Sequence, residues 1–234
     1  MDLSALVARF RTLSGDRAVP PLWPTRDVVA FFNEAEREAA ERGRLLYERL
    51  DPAMTRIEMI PGQRDYRLHP ALFDVEVVAI HRPGSNGQAH RNLVRCNRED
   101  MQWSLTNRPN LSGWADNFLI YGDASGDGAE GKHLVIDRLP AEAGGVLVLE
   151  GYRYPREKMA DPGDEPEIAA RHHDALVHWA LAVAYRTRDM EGDAEQRALR
   201  HEAEFAARFG ERPDANVLRK HVERRRPVVR AKRW

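Results

Sequence analysis

The sequence contains a single cysteine, Cys96, and only four lysines against 32 arginines. One cysteine excludes an internal disulfide framework and any zinc site built from several thiolates. No apolar run approaches the roughly 18 residues that a membrane-spanning helix needs. The first residues also lack the apolar segment of a secretory signal. These absences favour a protein that is cytosolic or assembled in a cytosol, with no membrane association.

Sequence motifs of catalysis are also missing: there is no nucleophile elbow, P-loop, dinucleotide fingerprint or His-Glu-x-x-His pattern. Cys96 has arginines nearby that could lower its pKa, but a cysteine on a strand is more often inert packing. Scattered carboxylates could pair in space as the acid and base of a small hydrolase, although a solvated sheet face explains them equally well. We therefore predict no catalytic residue and no cofactor, with the hydrolase kept as a rival. These carboxylates are Asp74, Glu76, Asp116 and Asp137.

Histidines and one acidic loop are the remaining candidates for a metal site. His172, His173 and His178 form the densest histidine group, but helical neighbours point about 100° apart, which separates the first two rings. His172 falls on an apolar stripe, which predicts a hydrogen-bonded core residue. The loop 123–128 alternates oxygen-bearing residues as a calcium loop does, yet its twelfth position holds Leu134 instead of glutamate. The sequence thus predicts no bound metal.

Helical patterns occupy both ends of the body. A short helix is predicted over 3–13, and a longer one runs from an N-cap at Thr25 to Asp51-Pro52, with Gly43 at a vacant place in its apolar stripe. A third helix follows Pro166, with Glu167 in its first turn. A fourth runs from 192 to a stop at Gly210. Three aromatic residues on the apolar stripes are predicted to pack in one cluster: Phe32, Trp179 and Phe205.

The middle of the chain changes to short strands separated by turns. Six or seven such strands predict an antiparallel sandwich or a curled sheet. A short helical turn over 98–105 holds Trp103. Two loops rich in glycine and polar residues, 83–89 and 125–131, are predicted to supply surface for contacts between subunits or with the tail of a particle.

The order of helices, strands and helices predicts an α+β fold. A helical bundle would form from the N- and C-terminal segments, with an inserted antiparallel β module and an extended C-terminal tail. The predicted ranges are 1–53 and 156–216 for the bundle, 54–155 for the β module and 217–234 for the tail. With 234 residues, the chain is long enough to bury a substantial core.

The predicted tail has a composition of its own. Residues 217–234 carry eight basic residues and one glutamate, a net charge of +7 in a chain whose total is −1. Such a segment is too polar to build a core and should be extended or disordered alone. It could be a solvated end without a role, a phosphate-binding segment, or a strand for an acidic groove on another protein, anchored by Val228, Val229 and Trp234.

This layout resembles the head-to-tail adaptor (connector) proteins of tailed bacteriophages. The resemblance rests on an early amphipathic helix over 23–47 and on the strand pair Ile60-Pro61-Gly62-Gln63-Arg64-Asp65-Tyr66-Arg67-Leu68. It also rests on Glu165-Pro166-Glu167-Ile168 leading to His172-His173-Asp174-Ala175-Leu176-Val177-His178-Trp179-Ala180, and on a closing helix ending Phe205-Ala206-Ala207-Arg208-Phe209-Gly210. The resemblance covers most of the chain. Its motifs are loose sequence patterns, and none of them is a catalytic signature.

The resemblance implies a structural protein of the virion neck, assembled in the host cytoplasm. Such adaptors form a homo-oligomeric ring, typically of twelve copies, beneath the portal protein. The ring extends the channel for the genomic DNA, without sequence-specific binding, and provides a platform for tail or nozzle proteins. An acidic channel wall would repel DNA phosphates and let the DNA slide. The implied portal-docking residues are Arg219, Lys220, Arg224, Arg225, Arg226, Arg230, Lys232, Arg233 and Trp234. A nucleic-acid-binding protein that acts through this tail remains the alternative.

Overall fold

The computed structural model describes residues 1–84, 91–122, 132–187 and 193–212, which form two compact units. We call Met1–Tyr47 together with Tyr152–Arg212 the helical unit, and Glu48–Gly151 the β unit. The mixture of helices and sheets confirms the predicted α+β class. No helix in these described ranges is long and apolar enough to cross a membrane.

The described residues contain six α-helices and nine strands. The helices are α1 (Leu3–Ser14), α2 (Thr25–Gly43), α3 (Pro52–Thr55), α4 (Arg98–Asn107), α5 (His173–Arg186, after a 3-10 turn at Ala170–His172) and α6 (Ala194–Phe209). The strands are β1 (Tyr47–Glu48), β2 (Arg56–Glu58), β3 (Asp65–Arg67), β4 (Leu72–His81), β5 (Arg91–Asn92), β6 (Val94–Arg95), β7 (Asn117–Tyr121), β8 (His133–Ile136) and β9 (Val146–Arg153).

The helical unit is built around one apolar core to which α1, α2, α5 and α6 all contribute. Phe32, Trp179 and Phe205 lie in this core, which confirms the predicted cluster. The Trp179 and Phe205 ring centroids are 5.1 Å apart, and the Phe10 and Phe32 rings pack edge to face with centroids 6.3 Å apart. Offset and edge-to-face pairs of this kind add to the free energy gained by burying the rings.

Two predicted ends of α2 are wrong. Thr25 is the first helical residue, and Pro24 before it caps the helix without a side-chain hydrogen bond. The helix stops at Gly43 instead of continuing to residue 50, because Arg44 takes a left-handed conformation with φ 48°. The apolar stripe had a seven-residue gap between Ala39 and Leu46, and the helix ends inside that gap. Gly43 therefore ends a helix and does not sit within one.

The start of α5 also differs from the sequence prediction. Glu167 is not in its first turn, because the helix begins six residues later at His173. The backbone N–H of Glu167 donates instead to the Glu36 carboxylate on α2. The buried, hydrogen-bonded histidine is His173, with Nε2 2.8 Å from the Ile168 carbonyl oxygen, whereas the predicted core residue His172 is only half-buried.

The β unit contains two sheets that share one core. In the first sheet the strand order is β1-β9-β4-β5, with β2 also pairing with β9, and in the second it is β3-β8-β7-β6. Both sheets send alternate side chains inward, as expected for a sandwich. The inward residues include Val78, Ile80, Leu147 and Leu149 from the first sheet and Tyr66, Phe118, Leu134 and Ile136 from the second.

The predicted antiparallel pairing holds for most of this unit but fails at one edge. β6 pairs with β7 in parallel, with Val94 opposite Asn117 and Arg95 opposite Phe118. The short segment after β4 therefore contributes to both sheets: β5 returns antiparallel to β4, while β6 belongs to the other sheet. Only Leu93, which is buried, separates the two strands.

Gly151 lies where the backbones of β4 and β9 leave no room for a side chain. A Cβ placed there would lie 2.2 Å from the carbonyl oxygen of Asp74 and 2.8 Å from the Cα of Val75. Because these atoms belong to the backbone of β4, they cannot move aside as a flexible side chain could. Glycine is therefore the residue that lets β4 and β9 pack at this point.

We expect Trp179→Ala to lower the free energy of unfolding by about 3–5 kcal/mol, because a large buried ring leaves a cavity in the core. Trp103→Ala is the matched control, since Trp103 is 58% exposed on α4 and should change stability by less than about 1 kcal/mol. Urea unfolding followed by circular dichroism measures both. Equal losses for the two variants would contradict the described core.

Gly151→Ala should destabilise the protein by about 1–3 kcal/mol, because the strand backbone must shift to admit the methyl group. Gly163→Ala provides the control: a Cβ there meets nothing within 4 Å. That variant should be neutral or slightly more stable, because alanine restricts the unfolded chain. The midpoints of thermal unfolding of the two variants and the wild-type protein measure this difference. An unchanged midpoint for Gly151→Ala would refute the close contact between β4 and β9 at this residue.

Candidate functional site

The predicted portal-docking residues, 219, 220, 224–226, 230 and 232–234, lie outside the described part of the chain. The structure describes the place from which they lead: α6, its end at Phe209, and residues 210–212. We call Glu38, Arg42, Gly210 and Arg212 the tail root. Gly210 ends α6 with φ 90°, which confirms the predicted stop.

Arg42 is the central residue of the tail root. Its side chain is only 3% exposed, and its guanidinium lies 4.8 Å from the Trp179 ring centroid and 5.3 Å from that of Phe205. The same group donates to the Glu38 carboxylate at 2.8 Å and to the Gly210 carbonyl oxygen at 3.4 Å. Stacking and bidentate donation are properties of arginine that lysine lacks.

Glu38 links Arg42 to the end of α6. The Nε of Arg212 lies 3.4 Å from the Glu38 carboxylate, so one buried carboxylate serves two guanidinium groups. Sequence reasoning missed this cluster, although a signal was present. Arg42 lies three residues after Ala39 and so continues the apolar face of α2, where a charged residue must find a partner.

The second feature of the helical unit is a long irregular connection, residues 154–169, between β9 and the 3-10 turn. Side chains supply the hydrogen bonds that regular structure would otherwise give it. The Asn33 side chain binds both backbone groups of Met159. It accepts a hydrogen bond from the Met159 N–H at 2.8 Å and donates one to the Met159 carbonyl oxygen at 2.9 Å. Asp164 accepts from the N–H groups of Ala160 and Asp161.

Glu167 and Arg153 close this connection. Arg153 donates to both carboxylate oxygens of Glu167, at 2.8 and 2.7 Å, and the N–H of Arg156 donates to the same carboxylate at 2.9 Å. Burial raises the pKa of Glu167, but these hydrogen bonds and the charge of Arg153 outweigh it and hold the pKa below its ordinary value. Glu167 is therefore ionised near neutral pH.

Glu36 is a carboxyl group of α2 buried beneath the connection, with 1% of the residue exposed. It accepts hydrogen bonds from the N–H groups of Glu167 and Ile168. Burial raises its pKa to about 7, against the lowering effect of these two bonds, and the charge of Glu167 raises it further. Glu36 also follows Phe32 by one helical turn, so its place on the apolar face was visible in the sequence.

A surface cavity of about 350 Å³ opens along the connection. Its lining residues are Arg156, Glu157, Lys158, Met159, Asp164, Glu165 and Glu167. Hydrogen bonds from backbone N–H groups hold the pKa of Asp164 below its ordinary value, as Arg153 and Arg156 do for Glu167. An acid–base mechanism with two carboxyl groups needs one that stays protonated as a general acid, whereas the lowered pKa values leave both Asp164 and Glu167 ionised near neutral pH.

The carboxylates of the β unit that the sequence offered for catalysis are engaged in structural contacts. Asp116 forms ion pairs with Arg91 and Arg138, and Asp74 lies 3.5 Å from Arg95. The buried Asp137 carboxylate accepts from the N–H groups of residues 116 and 117 and from the side chain of Asn117. Arginine side chains, backbone N–H groups and Asn117 thus account for the contacts of these three carboxylates.

Cys96 is not activated by its neighbouring arginines. Burial raises the pKa of its thiol to about 11, and the charges of Asp137 and Asp100 act in the same direction. The thiolate needed for nucleophilic attack is therefore scarce at neutral pH. The alternative in the sequence, inert packing, is the correct one.

The exposed aromatic residues of the β unit lie on its second sheet and on α4. Trp103 is 58% exposed, with the Arg108 guanidinium 5.5 Å from its ring. Tyr121, 43% exposed, donates to Asp65, and the same carboxylate lies 2.7 Å from Nδ1 of His133. The two predicted contact loops lie outside the described residues, apart from Pro83 and Gly84.

The three histidines that the sequence offered as metal ligands are His172, His173 and His178. These rings do not converge: His172 contacts Phe209, His173 binds the Ile168 carbonyl, and His178 faces His201 on α6. In the described ranges, no three residues among histidine, cysteine, aspartate and glutamate gather as metal ligands. The loop 123–128 lies outside those ranges.

Glu36→Gln should change the pH dependence of stability. The folded-state pKa of Glu36, about 7, exceeds its ordinary value of 4.5, so its contribution is complete below pH 4.5 and is lost as the pH rises through 7. Relative to Glu36→Gln, the wild-type protein should therefore lose up to about 3 kcal/mol of unfolding free energy between pH 4.5 and 8. Urea titrations at both pH values measure this difference.

Glu167→Gln serves as the control of opposite sign. Because the pKa of Glu167 is lowered, its stabilisation is present above pH 4.5 and is lost on acidification. The wild-type advantage over this variant should grow as the pH rises. The same pH trend for both variants would contradict the assigned environments of the two carboxyl groups.

Comparison of the sequence with known protein families identifies the family of this chain. The family described as SU10 adaptor protein matches residues 1–231. No curated protein sequence gives a significant match. The match extends through both units and into the basic segment that follows the tail root. The chain therefore belongs to the SU10 adaptor protein family, a family of phage head-to-tail adaptors.

Proposed function

We propose that the protein forms a ring beneath the portal of a tailed phage, extends the DNA channel and carries the platform for tail or nozzle proteins. The observation that carries this proposal is the family match over residues 1–231. The contacts of the carboxylates and of Cys96 support a structural role, because salt bridges, backbone N–H groups and burial account for them. A ring of twelve copies follows the stoichiometry typical of such adaptors.

The basic segment Val217–Trp234 is the part that we assign to portal docking. Its net charge of +7 suits an acidic groove, and Val228, Val229 and Trp234 provide apolar anchors. Ordering a segment of this length costs about 1–2 kcal/mol per residue in backbone entropy, so the partner must supply many contacts. A fixed starting point reduces this cost, and the tail root supports the proposal by holding residues 210–212 on α2.

The proposed docking is tested with Arg224→Gln, Arg225→Gln and Arg226→Gln combined in the full chain. The control removes three arginines that are exposed elsewhere, Arg17, Arg26 and Arg197, so that the net charge is the same. We expect the tail variant to bind the purified portal oligomer at least about tenfold more weakly, while the control binds like the wild-type chain. Equal binding by all three proteins would refute docking through the tail.

Complementation separates the role of the protein from the role of its tail. A phage lacking this gene should accumulate filled heads without tails, and the wild-type gene should restore infectious particles. Deletion of Pro227–Trp234 should leave a folded body that fails to join heads to tails. If the wild-type gene is dispensable for joining, the adaptor function itself is wrong. If the truncated gene restores infectious particles as the wild-type gene does, the adaptor function stands and the docking assignment fails.

The nucleic-acid alternative rests on the same charge and makes a different prediction. If the tail binds DNA, the logarithm of the affinity should fall steeply with the logarithm of salt concentration, by about 0.9 for each phosphate contact. The triple tail variant would then lose most of that slope. Fluorescence anisotropy with duplex DNA at two or more salt concentrations distinguishes this outcome from portal docking.

A further inference from the structure

At the interface between α5 and α6, one histidine from each helix contacts the other through a ring nitrogen. The Nδ1 atoms of His178 and His201 are 3.1 Å apart, and the ring centroids are 5.3 Å apart. Both side chains are half-buried, so solvent reaches them from one side. These residues are 23 positions apart in the sequence, and no spacing rule connects them.

The distance between the two nitrogens is suited to chelation. With metal–nitrogen bonds of about 2.05 Å, a separation of 3.1 Å gives a nitrogen–metal–nitrogen angle of about 98°. Opening the pair by about 0.3 Å gives the tetrahedral angle of about 109°. In the metal-free protein the two nitrogens face each other in a hydrogen bond, with the ring centroids 5.3 Å apart, so both rings must also turn for their lone pairs to meet at one ion.

Packing restricts the pair before any ion binds. The His201 ring stacks on Tyr185 of α5, with an interplanar angle of 13° and centroids 5.9 Å apart, and His178 is hydrogen-bonded to His201. α5 and α6 form the most extensive helix–helix contact of the unit. Part of the rotamer entropy that would otherwise oppose chelation is therefore already lost on folding.

The ring protons must be rearranged before both nitrogens can bind one ion. The two Nδ1 atoms share a hydrogen bond, so one of them carries a proton in the metal-free protein. Binding through both Nδ1 atoms places that proton on Nε2 of the same ring, which leaves a lone pair on each Nδ1. Of the nearby charged groups, Glu202 is paired with Arg186, Arg200 opposes a bound cation and Glu204 favours one.

We propose that His178 and His201 bind one divalent transition-metal ion through their Nδ1 atoms and so cross-link α5 to α6. Imidazole nitrogens favour Cu²⁺, Ni²⁺ and Zn²⁺ over Mg²⁺ and Ca²⁺, which prefer oxygen ligands. Two protein ligands leave positions for water, so the ion exchanges and is not required for folding. The proposal is independent of the adaptor function.

The test uses the full chain with CuSO4 and with ZnCl2. The electron paramagnetic resonance spectrum of bound Cu²⁺ should show coupling to two imidazole nitrogens in the wild-type chain and to one in His201→Phe. Phenylalanine preserves a ring against Tyr185, so this variant keeps the packing while removing the ligand. Zn²⁺ affinity, measured by calorimetry, should fall at least about tenfold in His201→Phe and in His178→Ala.

His172→Ala is the control, because it removes another half-buried imidazole from the same unit without touching the pair. It should bind Zn²⁺ like the wild-type chain. Zn²⁺ should also raise the melting temperature of the wild-type chain and of this control, and not of the two pair variants. Circular dichroism confirms that each variant is folded. The same Zn²⁺ affinity in wild-type and His201→Phe proteins, or a Cu²⁺ spectrum with one nitrogen in both, would overturn the proposal.

Discussion

The helical unit depends on how α2 satisfies the backbone of a connection that has little regular structure of its own. Residues 154–169 must place their N–H and C=O groups somewhere, since leaving such groups buried and unpaired costs more than a hydrogen bond contributes. Asn33 and Glu36 accept or donate where a helix or sheet would otherwise do so. Their position on one face of α2 fixes where the connection lies and, through it, where α5 begins. The placement of Trp179 in the core follows from that start.

Periodicity revealed most of the regular elements, because burial of an apolar face is a local property of the sequence. The succession of short strands in the middle of the chain and the helix that stops at Gly210 were both visible in this way. The errors fall where tertiary contacts override local preference. The N–H of Glu167 donates to Glu36 instead of starting a helix, and β6 leaves its neighbour β5 to pair in parallel with β7. Pairing across a sandwich depends on residues far apart in the chain, which a single sequence does not specify.

The candidate site was less accessible to sequence reasoning than the fold. Composition identified the basic tail, and its assignment to the portal remains a proposal because its residues lie beyond the described part of the chain. The tail root was overlooked, although Arg42 on the apolar face of α2 was a visible signal. Glu36 belongs to the same class of signal: a charged residue at a core position indicates a partner elsewhere in the chain. The histidine pair carried no signal at all, since only the packing of α5 on α6 brings its two rings together.

The buried arginine of the tail root has a consequence for local unfolding. A helix end is ordinarily the first part to fray. Here the Glu38 carboxylate joins Arg212 to Arg42, and Arg42 packs against Trp179 and Phe205. Local unfolding at the end of α6 must therefore also break contacts with α2, so fraying there is coupled to the aromatic core.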